Sequence, residues 1–300
     1  MIQKQPPADT TTPARRHLRR RKLKDRIGHL FFLAGTLFSV FILIVLLARI
    51  IGDGIGHLDW QFLTSYPSRS ASRSGILPAI VGSLWLIALT ALFAIPLGIG
   101  AAIYLECFAG DSRFHQLIQV NIANLAGVPS IVYGLLGLSL FVRTLGFSRS
   151  ILSGSLTMAL LILPVLIIAA QEAIRDVPEA LIAGSYAVGA THLQTILRMI
   201  LPYAFPRILT GIILALSRAL GETAPLLLIG AFSFVRFLPS SIMSAFTVLP
   251  VQIYVWAGKP QAEFRAITSA AILVLLVVML LVNGLAIYLR SRYEKGSQSD

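Results

Sequence analysis

The stretch from Asp176 to Pro225, DVPEALIAGSYAVGATHLQTILRMILPYAFPRILTGIILALSRALGETAP, decides how this chain is read. It opens polar. Asp176 stands three residues before Glu179 in capping-box spacing, and Pro178 suits a first helical turn, where its missing N–H costs nothing. Gly189 offers the left-handed conformation that ends helices. Thr191 and Gln194 then repeat the capping-box spacing, and Leu193, Ile196, Leu197, Ile200 and Leu201 share one face, opposite Gln194, Thr195 and Arg198. The spacing predicts two short helices joined at a bend over 176–202. An apolar helix follows from about Tyr203 to Phe234, carrying both Arg218 and Glu222.

Outward from this stretch the chain is apolar. Of its 300 residues 56% are hydrophobic and only 13% charged, about half the charged share of a soluble domain. The mean hydropathy is +0.80. Both values identify an integral membrane protein. The net charge of +12 does not indicate nucleic-acid binding, because Arg15, Arg16, Arg19, Arg20, Arg21, Lys22, Lys24 and Arg26 crowd just before the first apolar run. Juxtamembrane cations of this kind hold a flank in the cytoplasm and can touch anionic lipid.

A hydrocarbon core needs about 20 apolar residues per helix. Runs that meet this are predicted at 27–51, 76–104, 122–142, 151–170, 203–234 and 267–289. The fold class is thus an all-α polytopic membrane protein with six transmembrane helices. Residues 1–26 read as a disordered basic tail, 27–292 as the membrane domain with a cytoplasmic loop at 176–202, and 293–300 as a second tail. The first apolar run is too long for a signal-peptide core, so Arg15-Arg16 are not read as a cleaved twin-arginine signal.

Pro78 and Pro96 in the second span, and Gly127, Pro129, Gly134 and Gly137 in the third, suit helices packed inside a bundle. The Val248–Trp256 run is too short to cross and reads as a surface or re-entrant segment. Six spans put both termini on one side. Placing that side in the cytoplasm gathers there the basic tail, Arg113, Arg175, Arg198, Arg207 and the C-terminal cations.

Arg218 and Glu222 are spaced to share a helix face. An ionisable group at the bilayer centre costs roughly 2.5–3.5 kcal/mol on insertion scales, so the two are expected to face the bundle interior. Two readings stand: an ion pair that fixes helix rotation, or a substrate pathway. A guanidinium stays charged and binds oxyanions in a bidentate fork, so Arg218 suits a tetrahedral anion. In that reading Glu222 neutralises Arg218 between transport events. The 176–202 segment is likewise either an ordinary interfacial loop or an element that transmits motion from a soluble partner.

Other motifs are excluded. His17, His29, His57, His115 and His192 form no H-E-x-x-H, and no G-x-S-x-G occurs. Gly98-Ile99-Gly100 lies inside a span and lacks the third glycine of a dinucleotide fingerprint. The single Cys107 cannot form an intramolecular disulfide. No lysine sits in the G-x-x-x-x-G-K-[ST] frame that cradles nucleotide phosphates.

Three segments carry a resemblance. Gly189-Ala190 with Leu201-Pro202 resembles the cytoplasmic EAA loop of ABC importer permeases. The run Arg218-Ala219-Leu220-Gly221-Glu222-Thr223-Ala224-Pro225 resembles the signature of the PstA family of phosphate permeases, as do 78–82 and 126–134. The Ala224-Pro225 ending favours PstA over the partner permease PstC. In register with Gly189, the family's Glu-Ala-Ala falls on Ala183-Gly184-Ser185, so its glutamate is missing here. Glu179, one turn earlier, is the candidate substitute.

The resemblance implies a type I ABC importer permease in the plasma membrane, not itself an enzyme, that takes phosphate from an external binding protein, PstS. It implies PstC as partner and two copies of the ATPase PstB, which would hold ATP and Mg. Arg218, Glu222 and Thr223 would line the substrate pathway. Glu179, Ala183, Gly184, Ser185, Gly189, Ala190 and Pro202 would meet the ATPase. Permeases for sulfate, molybdate or phosphonate, and a stand-alone channel, are the alternatives.

Overall fold

The computed structural model describes residues 11–110, 112–231 and 235–296, with side chains from residue 26 onward except at 289 and 293–296. Among these residues every regular element is helical. Contacts divide the chain into two units, residues 1–52 and 53–300. The first is dominated by α1 (Thr11–Gly54). Its Leu30, Phe31, Phe32, Phe38 and Phe41 are all exposed, the surface a lipid-facing helix requires.

The second unit holds α2 (Trp60–Thr64), α3 (Leu77–Ile103), α4 (Arg113–Ala126), α5 (Ser130–Gly137), α6 (Ile151–Arg175), α7 (Glu179–Ala187), α8 (His192–Thr195), α9 (Leu201–Gly221), α10 (Ala224–Ile229), α11 (Leu249–Ala257) and α12 (Glu263–Gly296). Wider π-helical turns extend α3 over Tyr104–Phe108, extend α5 over Leu138–Thr144, and join α8 to α9 over Ile196–Ile200. Arg26–His57, Leu77–Phe108, Ile151–Arg175, His192–Gly221 and Glu263–Arg292 are each long and apolar enough to cross a membrane. The pair Arg113–Ala126 and Ser130–Thr144 gives a sixth span if its arms count as one.

α6 is the central helix. Met158, Ile162, Leu166 and Ala170 are buried in one core with Ile196, Ile208, Ala215 and Leu226, so α3, α9 and α10 close around it. A second core at the start of α3, around Ala79, joins Phe62, Trp256, Phe264 and Ile267, with the Phe62 and Trp256 rings 6.0 Å apart. α11 packs against α3 and α12 and buries Leu249, Pro250, Val251, Gln252 and Trp256.

Several boundaries differ from the sequence reading, each for a local reason. The third span is not one rod over 122–142: its arms meet at 101°. Pro129 has no N–H to continue the first arm and is itself extended (φ −55°, ψ 136°), and Gly127 caps that arm. Between the predicted spans 76–104 and 122–142 the described residues are mostly helical, because the π turn after α3 runs to Phe108 and Ser112 caps α4 by accepting from the His115 N–H. Residues 11–26 and 293–296, read as tails, continue α1 and α12, since extending a helix costs far less than nucleating one. Residues 1–10 and 297–300 of those tails lie outside the described residues.

Candidate functional site

The fifth apolar run stops where Arg218 and Glu222 sit. α9 ends at Gly221, and Glu222 is extended (φ −77°, ψ 129°) before α10 begins at Ala224. The reading of both ionised residues on one continuous helix to Phe234 is therefore corrected. Pro225 is the cause: it has no N–H to give the Gly221 carbonyl four residues back, and its ring crowds that carbonyl. α10 ends in turn at Gly230, whose φ of +101° is left-handed.

The pair survives across this break. Arg218 Nε lies 3.7 Å from Glu222 Oε1, with the Arg218 side chain 46% exposed and Glu222 21%. A charge-assisted hydrogen bond would be about 2.7–2.9 Å, so the carboxylate neutralises the guanidinium without closing on its fork. Among the described residues no hydrogen bond occupies the rest of the fork. Arg218 also lies in the last turn of α9, where the unpaired carbonyls favour a cation. Thr223 is half-buried in the break, and its carbonyl accepts from the Leu227 N–H at 3.0 Å.

Two other spans hold the break in place. α5 lies against it so closely that a Cβ on Gly134 would fall 2.7 Å from Pro225 Cα. Its neighbour Tyr133 is buried, lies within electrostatic reach of Arg218 and donates to the Leu125 carbonyl at 2.8 Å, bracing the bent third span. On the other side Ser217 hydrogen-bonds Asn283 of α12. Asn283 was not singled out from the sequence, and Tyr133 only as part of the 126–134 run. A lone tyrosine or asparagine in an apolar run carries no spacing signal, although an amide inside a span is costly enough to invite the question.

At the opposite end of α9 the 176–202 segment forms an elbow. α7 ends at Gly189, whose φ of +83° is left-handed, as the sequence indicates. Thr191 and Gln194 make the expected reciprocal capping box. The Asp176 box does not form. Asp176 is still helical at the end of α6 and its carboxylate pairs with Arg207, while Pro178 flanks α7 without a side-chain cap. Nor is the second helix separate: α8 runs through its π turn into α9, giving one rod from His192 to Gly221. Pro202 withholds an N–H from the Arg198 carbonyl, and the π turn before it absorbs the defect.

Within the elbow Glu179, Ala183, Gly184 and Pro202 are exposed and Ala190 is half-buried. Ser185 is buried and hydrogen-bonds Thr195 at 2.9 Å, which clamps α7 to α8. Ile196 and Ile200 face the core, but Leu193 and Leu197, expected beside them, are 58% and 56% exposed, as is Val188 at 85%. A cleft of about 540 Å³ opens between the arms, lined by Ala180, Leu181, Gly184, Val188, Gln194 and Arg198 among others. No group of three or more potential metal ligands occurs among the described residues.

Comparison with known proteins places this geometry. Residues 94–295 match the family described as binding-protein-dependent transport system inner membrane component. The chain is 34% identical over 269 residues to phosphate transport system permease protein PstA 1 of Mycobacterium tuberculosis, covering 86% of each. It is 31% identical over 274 residues to the probable ABC transporter permease protein YqgI of Bacillus subtilis, covering 86% of this chain and 93% of that protein. Among solved structures, a chain of a bacterial alginate ABC transporter, crystallised with an alginate-bound periplasmic protein, superposes with a TM-score of 0.64. It covers 91% of this chain and 96% of its own at 17% identity, a likeness of fold. The all-α membrane fold, the broken fifth span and the elbow thus belong to a chain of the binding-protein-dependent transport system inner membrane component family, the membrane-embedded permease part of an ABC importer.

Proposed function

We propose that this chain is the permease subunit of an ATP-driven importer for inorganic phosphate and forms half of the translocation pathway. The observation that carries the reading is Arg218, whose guanidinium fork stands open beside Glu222 at a helix break. A fork of this kind can take two oxygens of a tetrahedral oxyanion. Glu222, 3.7 Å away, offsets the cation when the anion leaves. Thr223 contributes a hydroxyl beside them. The relatives named as phosphate permeases support phosphate as the anion.

In this reading the second half of the pathway comes from a PstC-type permease, which would cover the exposed side of Arg218. A PstS-type binding protein delivers phosphate from outside. Two PstB-type subunits bind ATP with Mg and hydrolyse it. The elbow docks on the ATPase through its cleft and exposed apolar side chains, Val188, Leu193 and Leu197, with Glu179 taking the place of the missing glutamate at Ala183. Both termini lie in the cytoplasm, on the elbow's side of the membrane.

The test is ATP-dependent uptake into vesicles carrying the four subunit types, with and without this chain. Phosphate accumulation that requires both ATP and this chain is expected. Equal accumulation without it, or preferential uptake of sulfate, molybdate or phosphonate, would overturn the assignment.

A further inference from the structure

The elbow is fastened to the rest of the bundle at a second place. His192, the first residue of α8, bonds through Nε2 to the Cys107 carbonyl at 2.8 Å and through Nδ1 to the Tyr186 hydroxyl at 2.7 Å. A carbonyl only accepts, so Nε2 carries the proton, and in the neutral ring Nδ1 accepts from the tyrosine. Tyr186 therefore fixes the tautomer that the Cys107 bond needs. The Tyr186 ring lies nearly parallel to it and end to end, with centroids 6.4 Å apart, and Phe108 meets it in a T-shaped contact at 5.0 Å.

Cys107 belongs to the π turn that ends α3, where the last carbonyls have no helical N–H to satisfy them. The residue before it, Glu106, takes Gln171 Nε2 at 2.8 Å and Arg175 in a two-point pair at 2.7 and 2.8 Å. The end of α3 is thus tied to α6 by one side chain and to the elbow by the next residue's backbone. The elbow itself is rigid, through the buried Ser185–Thr195 bond and the Thr191 capping box. His192, Tyr186 and Phe108 are exposed, so the bonds between elbow and α3 compete with water and can be made and broken readily.

We propose that His192 is a positioning residue for energy coupling: it latches the elbow to the end of α3, so that a push on the elbow moves α3 as well as α6 and α9. The α6 and α9 connections are covalent and permanent, through residues 176–178 into α7 and through the rod from His192 to Gly221. The His192 connection is the exchangeable one. Without it the elbow would drive α6 and α9 directly and α3 only through its packing on α6. The proposal rests on the elbow being the ATPase contact.

The experiment uses the complete transporter in vesicles, measuring ATP hydrolysed and phosphate accumulated in the same sample. With His192→Ala the phosphate moved per ATP should fall about fivefold while ATP hydrolysis stays within about twofold, since a solvated hydrogen-bonding contact is modest but not negligible. His192→Gln, whose amide N–H can serve the Cys107 carbonyl, should restore most of the ratio. Tyr186→Phe, which keeps the ring and loses the hydroxyl, should lower the ratio about twofold. An unchanged ratio in His192→Ala, or His192→Gln as uncoupled as His192→Ala, would overturn the proposal. If His192→Ala does not assemble, an unchanged ratio in Tyr186→Phe overturns it instead. Failure of the elbow as ATPase contact reads differently: the complex would then keep its ATPase bound when Glu179, Val188 and Leu197 are all changed to Ala.

Discussion

Arg218 and Glu222 face each other at 3.7 Å across a helix that stops between them, so the membrane's costliest side chains meet at a gap in the backbone ladder. The gap places a cation beside helix-terminal carbonyls and leaves its fork open. Glu222→Gln should therefore strengthen anion binding and slow release. Transport assays of the complete complex are expected to show KM and kcat falling together, and a raised KM with unchanged kcat would contradict the neutralising role.

Gly134 touches the same break from α5, where an added Cβ would lie 2.7 Å from the Pro225 backbone. Gly134→Ala should cost about 1–3 kcal/mol through overpacking. Thermal unfolding of the purified complex should show a lower midpoint, whereas Gly100→Ala, with nothing within 4 Å of the new methyl, should not.

Gly189 makes the elbow turn with a φ of +83° and open space around its Cα. Gly189→Ala should cost about 1–2 kcal/mol for placing a Cβ in the left-handed region. Gly189→Asn should cost less, because asparagine tolerates that region. Proteolysis within 185–195 in the assembled complex, faster for the alanine variant than the asparagine one, is the expected readout.

Two ion pairs at this end of the bundle should behave oppositely. Asp176–Arg207 is more than half exposed on both sides, so Asp176→Ala should change stability by about 0–1 kcal/mol. Glu106 is only 12% exposed, and it also holds the buried Gln171 amide. Glu106→Ala should cost about 2 kcal/mol by leaving that amide unpaired. Equal midpoints for the two variants would contradict the burial argument.

Much of this was legible in the chain. Apolar length marked the spans, Thr191 with Gln194 marked a cap, and Gly189 marked a turn, because each is a local rule acting on neighbouring residues. The errors have tertiary or competing local causes. Pro225 outweighs the apolar run that predicts a fifth helix to Phe234, and Pro129 with Gly127 folds the third span on itself. Asp176 had two possible partners, and Arg207 in α9, invisible to sequence spacing, took it from the Glu179 cap. The roles of His192, Tyr133 and Asn283 are not visible in spacing, because the Cys107 carbonyl, the Leu125 carbonyl and Ser217 that define them lie 85, 8 and 66 residues away.

Arg218 is the residue proposed to contact phosphate in a pathway driven by ATP. The most direct measurement of that contact is phosphate uptake by vesicles containing the complete transporter with Arg218→Gln, alongside Arg218→Lys. Loss of a bidentate charged contact should lower uptake at least about tenfold in Arg218→Gln, with Arg218→Lys recovering only part of it, while the ATPase remains assembled. Uptake at the unmodified rate in Arg218→Gln would contradict the account.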